Sequence, residues 1–401
     1  MGLKKAQLKD MARNCLDDTV RLTSELIKIP SLSGTEKEIA EYTLKVMKCL
    51  GYDRAWIDEA GNVIGEIKGT GGGKSIIFNS HLDTVHQGNE KNWNYPPFSG
   101  EIAGGAVWGR GASDTKGAFA AQIYAVHALK KAGLIPAGDI YVTGVVREED
   151  SGIGSMVLVE HLKGDYAIIG EATSNHIAIG NRGRMRLDLH IRGKSCHASR
   201  PEIGVNPHFF MASFVNSLQS YPLEEDSIFG TSSIAPTMIQ TSEKSTNVIP
   251  SELVLTIDYR NIPSETPEQI IKKLELMAAD YHYEGIDFWI ERVKNPIECY
   301  TGLQKDVYEG QLAFAVDLDH PLVVEGKQAL EEVFERDVKI ETWDFATDGG
   351  HFIEAGIPVL GFAPAEFKLC HTMEEHIRID MLEEGILGNM ALALRLGNKD
   401  D

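Results

Sequence analysis

Residues 75–84 read SIIFNSHLDT. Ser75 to Ser80 is a short apolar run set off by glycines, which predicts a buried strand. Where the run ends, His81 and Asp83 stand two apart, so both side chains leave the strand on the same side. Two later stretches have the same form. Ile140 to Val146 runs into Arg147-Glu148-Glu149-Asp150, and Tyr166 to Ile169 runs into Gly170-Glu171-Ala172-Thr173. Thr115 to Ala132 and Ser155 to Leu162 read as helices between them. Strands alternating with helices predict an α/β domain with a largely parallel sheet. In such sheets ligands gather beyond the carboxyl ends of the strands, where these polar residues fall.

Upstream, Leu16 to Ile29 reads as a helix ending before Pro30. Thr35-Glu36-Lys37-Glu38 has the spacing of a capping box for a second helix, closed by Gly51. Lys68 to Ser75 (KGTGGGKS) is predicted to be a hairpin turn between two strands. It is no phosphate loop, since Lys68 stands where that motif needs glycine and no helix follows.

The pattern changes near Ile179. Arg184 to Arg192 (RMRLDLHIR) alternates strictly, as a half-exposed antiparallel strand does. Leu253, Leu255 and Ile257 alternate likewise, with helices expected over Asn206 to Leu218 and Pro267 to Tyr281. After Asn295 the α/β style resumes, with a helix over Pro321 to Phe334, a strand at Pro358 to Phe362 and a last helix from Met381. The expected architecture is a discontinuous α/β domain (1–178 and 295–401) carrying an inserted α+β domain (179–294).

The chain has 401 residues, is 43% hydrophobic and carries a formal charge of −20. Its length fits two or three domains. An acidic surface repels phosphate backbones, which argues against nucleic acid as a partner. The cysteines are Cys15, Cys49, Cys196, Cys299 and Cys370. Odd in number and scattered, they give no disulfide framework, and a reducing, cytoplasmic setting is expected. No stretch reaches the ~20 apolar residues that span a bilayer, so no membrane partner is expected.

Five segments place metal-binding side chains at strand ends or loops: His81 with Asp83, Asp114 in GRGASDTKG, Glu148 with Glu149, Glu171, and His371 in Cys370-His371-Thr372. Two histidines and three carboxylates, one of them bridging, suit two Zn²⁺ ions, although Co²⁺ or Mn²⁺ fits the same donors. Of the adjacent glutamates, one can ligate while the other activates water. There is no GxSxG elbow. Cys370 and Cys196 read as packing thiols, His86 and His376 as solvated, and the Trp93–Phe98 loop as a shield over the cleft.

HLDTV, GRGASDTKG, the Glu148-Glu149 pair, GEAT, SCHASRPEIGVNP and the late His-Thr occur in one order over nearly the whole chain. In this the sequence resembles the zinc aminoacylase, acetylornithine deacetylase, succinyl-diaminopimelate desuccinylase and carboxypeptidase G family. RGRMRLDLHIRGKSCH, the Glu298-Cys299-Tyr300 segment and GIPVLGFAP resemble most a subgroup of hydrolases labelled by association with selenium metabolism.

The resemblance implies residue roles. His81, Asp114, Glu149, Glu171 and His371 would be the ligands, with Asp114 bridging; which ion each terminal ligand holds stays open. Glu148 would be the general base and Asp83 the orienter of His81. His197 would cross a dimer interface to the oxyanion, the inserted domain then being a dimerisation lid. Asn247 and Arg260 would hold the substrate's carboxylate, and Thr347, Gly349 and Gly350 would add a hydroxyl and backbone N–H groups. Desuccinylase-like members carry an arginine where Gly350 falls, so its absence argues against succinyl-diaminopimelate. The function implied is metal-dependent cleavage of an amide in a small N-acyl amino acid or dipeptide by a homodimer. An N-carbamoyl amino acid amidohydrolase is the alternative within the class. A non-catalytic homologue is the alternative outside it, but such a protein would be expected to lack a ligand or the base, and none is missing.

Overall fold

A computed structural model describes residues 2–241, 243–281 and 283–398. Its main sheet has nine strands. From one edge the order is Arg54–Ile57, Val63–Ile67, Ile140–Val145, Ile76–His81, Tyr166–Ile169, Val359–Gly361, Ile177–Asn181 and Phe314–Ala315, with Ile340–Trp343 also paired to Ile177–Asn181. The apolar runs are continuous because both faces of the sheet are covered. Ile76 and Phe78 enter one core with Val142 and Ile168, while Ile77 between them enters the other with Ala167 and Ile169. Helices Gly2–Ile27, Gly117–Lys131, Pro321–Phe334 and Ile379–Leu396 pack together beside the first core. Ile153–His161 and Gly349–Glu354 pack on each other beside the second.

The sheet is mixed rather than largely parallel. Its central strands Ile140–Val145, Ile76–His81, Tyr166–Ile169 and Val359–Gly361 are parallel, so their carboxyl ends share one edge. The outer strands pair antiparallel, except Ile340–Trp343, which runs parallel to Ile177–Asn181. The glycine-rich stretch after Lys68 is not a hairpin turn. Ile140–Val145 lies between the two strands it connects, and a local glycine signal cannot reveal a strand inserted from 70 residues downstream. Gly69 and Gly73 serve close packing instead: Cβ atoms there would stand 2.3 Å from Gly138 O and 2.2 Å from Gly397 O.

The capping box at Thr35 is also absent. The helix begins at Lys37, and Glu36 turns its carboxylate inward to accept the N–H groups of Gly34 (2.8 Å) and Arg147 (3.1 Å). Thr35 Oγ1 donates to Leu32 O instead. A reciprocal capping box does occur at Thr266 and Gln269. The first helix is longer than its apolar core suggests, running over Gly2–Ile27, because Leu8 and Ala12 bury a narrow stripe among charged neighbours.

A second sheet holds Ser233–Thr241, Glu252–Arg260, Arg184–Arg192 and Asp287–Arg292 in that order, with Gly310–Gln311 added beside Arg184–Arg192. Met185, Leu187, Leu189 and Ile191 face one way and pack with Phe210, Phe214, Ile270 and Leu274 of helices Pro207–Ser217 and Pro267–Ala279. The fold is thus α/β with an inserted α+β unit. We place its seams by strand membership: between Asn181 and Arg184 on the way out and between Gln311 and Phe314 on return. Residues 179–181 belong to the main sheet, and an antiparallel hairpin, Lys294–Glu298 with Gln304–Tyr308, already packs on the main core through Cys299 and Val307 before Gly310–Gln311 pairs once more with the inserted sheet. Among the described residues no helix is long and apolar enough to cross a membrane.

Candidate metal centre

Each of the four parallel strands delivers one piece of the centre just beyond its carboxyl end. His81 ends the strand Ile76–His81, Glu148 and Glu149 follow Ile140–Val145, Glu171 follows Tyr166–Ile169, and the loop with His371 follows Val359–Gly361. Asp114 arrives separately, in the turn Ala112–Lys116 that opens helix Gly117–Lys131. Glu375 fixes this turn. One of its carboxylate oxygens accepts the N–H groups of Ser113 (3.1 Å) and Asp114 (3.2 Å), and the other pairs with buried Arg110.

The two oxygens of Asp114 face different histidines. Oδ1 lies 2.9 Å from His81 Nε2 and Oδ2 lies 3.0 Å from His371 Nε2. Glu171 Oε1 stands 3.5 Å from His81 Nε2, and Glu149 Oε2 stands 3.1 Å from His371 Nε2. Asp114 therefore sits between a His81–Glu171 half and a His371–Glu149 half. The other nitrogen of His81, Nδ1, donates to the main-chain oxygen of Asp83 at 2.9 Å, which leaves Nε2 a lone pair for a cation.

Asp83 thus orients His81 through its carbonyl group rather than through its carboxylate, which stands 3.6 Å off. That carboxylate has other partners. It accepts the N–H groups of Glu148 (3.1 Å) and Glu149 (3.2 Å) and the Ser33 hydroxyl (2.7 Å).

The electrostatics follow from the packing. Burial opposes charge on His81, but Asp114 and Glu171 outweigh it and hold the imidazole well above its usual range. Hydrogen bonds that His371 donates to the Asp114 and Glu149 carboxylates raise it to about 10. Burial and then Asp348 push Glu148 well up, and burial and then Asp114 do the same to Glu171. These shifts express a surplus of carboxylate over cation. Four carboxylates converge on two imidazoles, and two triads of them, His81-Asp114-Glu149 and His81-Glu148-Glu171, bring ligand atoms within 4.8 Å of one another. Imidazole and carboxylate donors in this ratio suit two divalent cations.

The centre opens into a cavity of about 370 Å³ lined by Asp114, Glu148, Glu149, Glu171 and His371 on the main-sheet side and by Arg184, Arg260 and Gln311 on the inserted side. Phe345 and Phe367 stack at 4.5 Å and form its apolar wall. Asp258 ties the arginines together, accepting from Arg260 Nε at 2.7 Å and Arg184 Nε at 2.9 Å.

The sequence missed Arg184, Gln311, Glu375 and the two phenylalanines. Arg184 opens an alternating strand and reads as an ordinary polar residue, and the others lie in short segments without a motif.

A profile of "Peptidase family M20/M25/M40" matches residues 77–394. The chain belongs to this family. It is 30% identical over 381 residues to the uncharacterized protein YgeY of Escherichia coli (strain K12), covering 91% of each. It is 26% identical over 388 residues to a succinyl-diaminopimelate desuccinylase of Cereibacter sphaeroides, covering 91% of this chain and 95% of that one. Among solved structures, a Bacillus subtilis protein described as a dinuclear metal binding peptidase from the M20 family superposes with a TM-score of 0.69 at 16% identity, over 96% of this chain and 99% of that one. As an M20-family hydrolase, the chain combines the family's catalytic α/β domain with its inserted domain.

The remaining expected site residues divide. Arg260 lines the cavity. His197 and Asn247 do not. His197 pairs with Val248 across a short two-stranded ribbon, and its exposed ring bonds Ser199 Oγ at 2.7 Å. Thr347, Gly349 and Gly350 do not line the cavity either. The Thr347 hydroxyl is buried, donates to Asn181 Oδ1 at 2.8 Å and accepts the Gly349 N–H. Cβ atoms on the two glycines would strike Phe314 (2.4 Å) and Leu312 (2.8 Å), so they are small to let the returning segment pass. The Trp93 loop packs on Arg110 and does not line the cavity. Burial pushes the Cys370 thiol far up, as befits a packing residue.

Proposed function

We propose that this M20-family hydrolase cleaves the amide bond of small N-acyl amino acids or dipeptides, with two divalent cations bridged by Asp114. The observation that carries the proposal is the division of the Asp114 carboxylate between His81 and His371, with a glutamate completing each half. His81 and Glu171 would hold one ion, His371 and Glu149 the other, and zinc suits the donors. When bound, the ions would polarise the scissile carbonyl and acidify a water.

The chain's own groups do the rest. Glu148 accepts the proton of the water as its oxygen adds to the amide carbon, and passes it to the nitrogen as the C–N bond breaks. The products are a carboxylate and an amine. The planar forks of Arg260 and Arg184 face the cavity and suit the substrate's carboxylate. The Phe345–Phe367 wall suits an apolar group beside it.

We infer a cytoplasmic homodimer in which His197 serves the partner's site. Supporting this, strand Ser233–Thr241 is a sheet edge of nine residues, largely exposed, with Met238 and Ile239 open to solvent. Such an edge favours pairing with a second copy. Within the family we retain the likeness to the selenium-associated subgroup; that label names no substrate.

The test is to incubate zinc-loaded and chelator-treated protein with a panel of N-acyl amino acids and dipeptides and to measure released amine. Metal-dependent release supports the proposal. Release of ammonia and carbon dioxide from N-carbamoyl substrates alone would replace it with the carbamoyl alternative. No release from protein carrying two ions per chain would refute both.

A further inference from the structure

The residue nearest in function to Glu148 lies outside every metal-binding motif. Gln311 Nε2 donates to Glu148 Oε1 at 3.3 Å and to Glu148 O at 3.2 Å. Among the described residues, no other group donates to the Glu148 carboxylate. The bonds that hold Glu148 elsewhere act on its backbone, through Asp83. Without Gln311 no hydrogen bond among the described residues holds the carboxylate.

Two features say that the glutamine is there for this contact. First, its Oε1 is buried with no hydrogen-bond partner. An orphaned buried acceptor costs stability, and an apolar side chain of the same length would avoid that cost. Second, the backbone around it is held closely. Gln311 pairs with Arg184, and a Cβ on neighbouring Gly310 (φ +107°) would stand 2.0 Å from Arg184 O. The side chain therefore starts from a fixed point.

That point is on the seam. The chain leaves the main sheet between Asn181 and Arg184 and returns between Gln311 and Phe314. Gln311 pairs with Arg184 on the inserted side, and Phe314 pairs with Asn181 on the main-sheet side. Gln311 thus belongs to the inserted sheet, and the carboxylate it grips belongs to the main one.

We propose that Gln311 is a positioning residue that fixes the Glu148 carboxylate and makes its alignment depend on the seating of the inserted domain. The proposal rests on Glu148 as the general base. A base must keep its oxygen within hydrogen-bonding reach of the water it deprotonates, and misplacement by about 1 Å can cost as much as 100-fold in rate.

The test uses full-length, zinc-loaded protein and two variants that keep the side-chain length but remove the donor, Gln311→Met and Gln311→Glu. Both should bind as much zinc as wild type, since Gln311 is no ligand. On any substrate that the wild type cleaves, kcat should fall at least about tenfold with KM changed less than twofold. In crystals of Gln311→Met the Glu148 carboxylate should leave its wild-type position. A kcat within twofold of wild type in either variant, a loss carried by KM alone, or a carboxylate that stays in place would each overturn the proposal. If the wild type cleaves nothing on the panel, the hydrolase reading fails by itself, and the crystal comparison decides the positioning role separately.

Discussion

Asp83 holds Glu148 by its backbone: Asp83 Oδ1 accepts the Glu148 N–H at 3.1 Å, from a strand that precedes Glu148 by more than 60 residues. The same carboxylate accepts the Glu149 N–H, and the same residue's carbonyl fixes the His81 ring. One residue, through its carboxylate and its carbonyl, thus ties a ligand of one half, a ligand of the other and the base into a single frame.

Replacing Asp83 with Ala should therefore damage more than one function. Two N–H groups lose their acceptor, at about 1–3 kcal/mol for each buried group. Urea denaturation of the zinc-free variant should show a loss of that order, and turnover of the loaded variant should fall even where its zinc content is restored.

Glu148→Gln keeps the shape and the Gln311 contact but cannot take a proton. Turnover should drop by about 10²–10⁴-fold, with metal content unchanged by elemental analysis. Retained turnover would mean that another group deprotonates the water.

The divided Asp114 carboxylate predicts unequal losses of metal. Asp114→Ala removes a ligand from both halves and should leave little bound metal, whereas His371→Ala spares the His81–Glu171 half and should retain about one ion per chain. Elemental analysis after dialysis measures this. Equal losses in the two variants would contradict a bridging Asp114.

Glu36 supplies a test by pH. Burial and then the charge of Asp83 raise its carboxyl from 4.5 to about 7. Because the folded value is raised, the neutral form favours the fold. Its contribution is complete below the unfolded value and is lost as pH rises through about 7. Glu36→Gln stays neutral and keeps an oxygen for the N–H groups of Gly34 and Arg147. The variant should match wild type near pH 4 and exceed it near pH 8.5 by roughly 3 kcal/mol at most, measured by urea denaturation at both pH values.

Arg260→Ala should act mainly on binding. With Arg184 still paired to Asp258, KM should rise by about tenfold while kcat changes little. A loss confined to kcat would place Arg260 in the chemical step instead.

Much of this protein is legible in one dimension. The run Ser75–Ser80, buried on both faces, announced a central strand before any partner was known. The alternation of Met185, Leu187, Leu189 and Ile191 announced a sheet with one covered face. Periodicity reports burial, and burial is a local property of the chain. The side chains that converge on the metal centre could be named because four of the segments follow an apolar strand or open a helix, and because their order, with His371 in a late loop, resembles that of a known family.

What the sequence could not carry was partnership. It left open which histidine shares Asp114 with which glutamate, because only the folded distances separate His81–Glu171 from His371–Glu149. It presented Lys68–Ser75 as a hairpin, although the strand from Ile140 to Val145 enters between its neighbours. The resemblance implied substrate contacts for Thr347, Gly349 and Gly350; what the sequence did not reveal is that they also pack against the returning segment and Asn181. Gln311 and Glu375 belong to no motif and act only through residues more than 160 and 260 positions away. Such contacts are fixed where segments distant along the chain meet in the fold, and nothing in the residues beside them along the chain encodes where that meeting will fall.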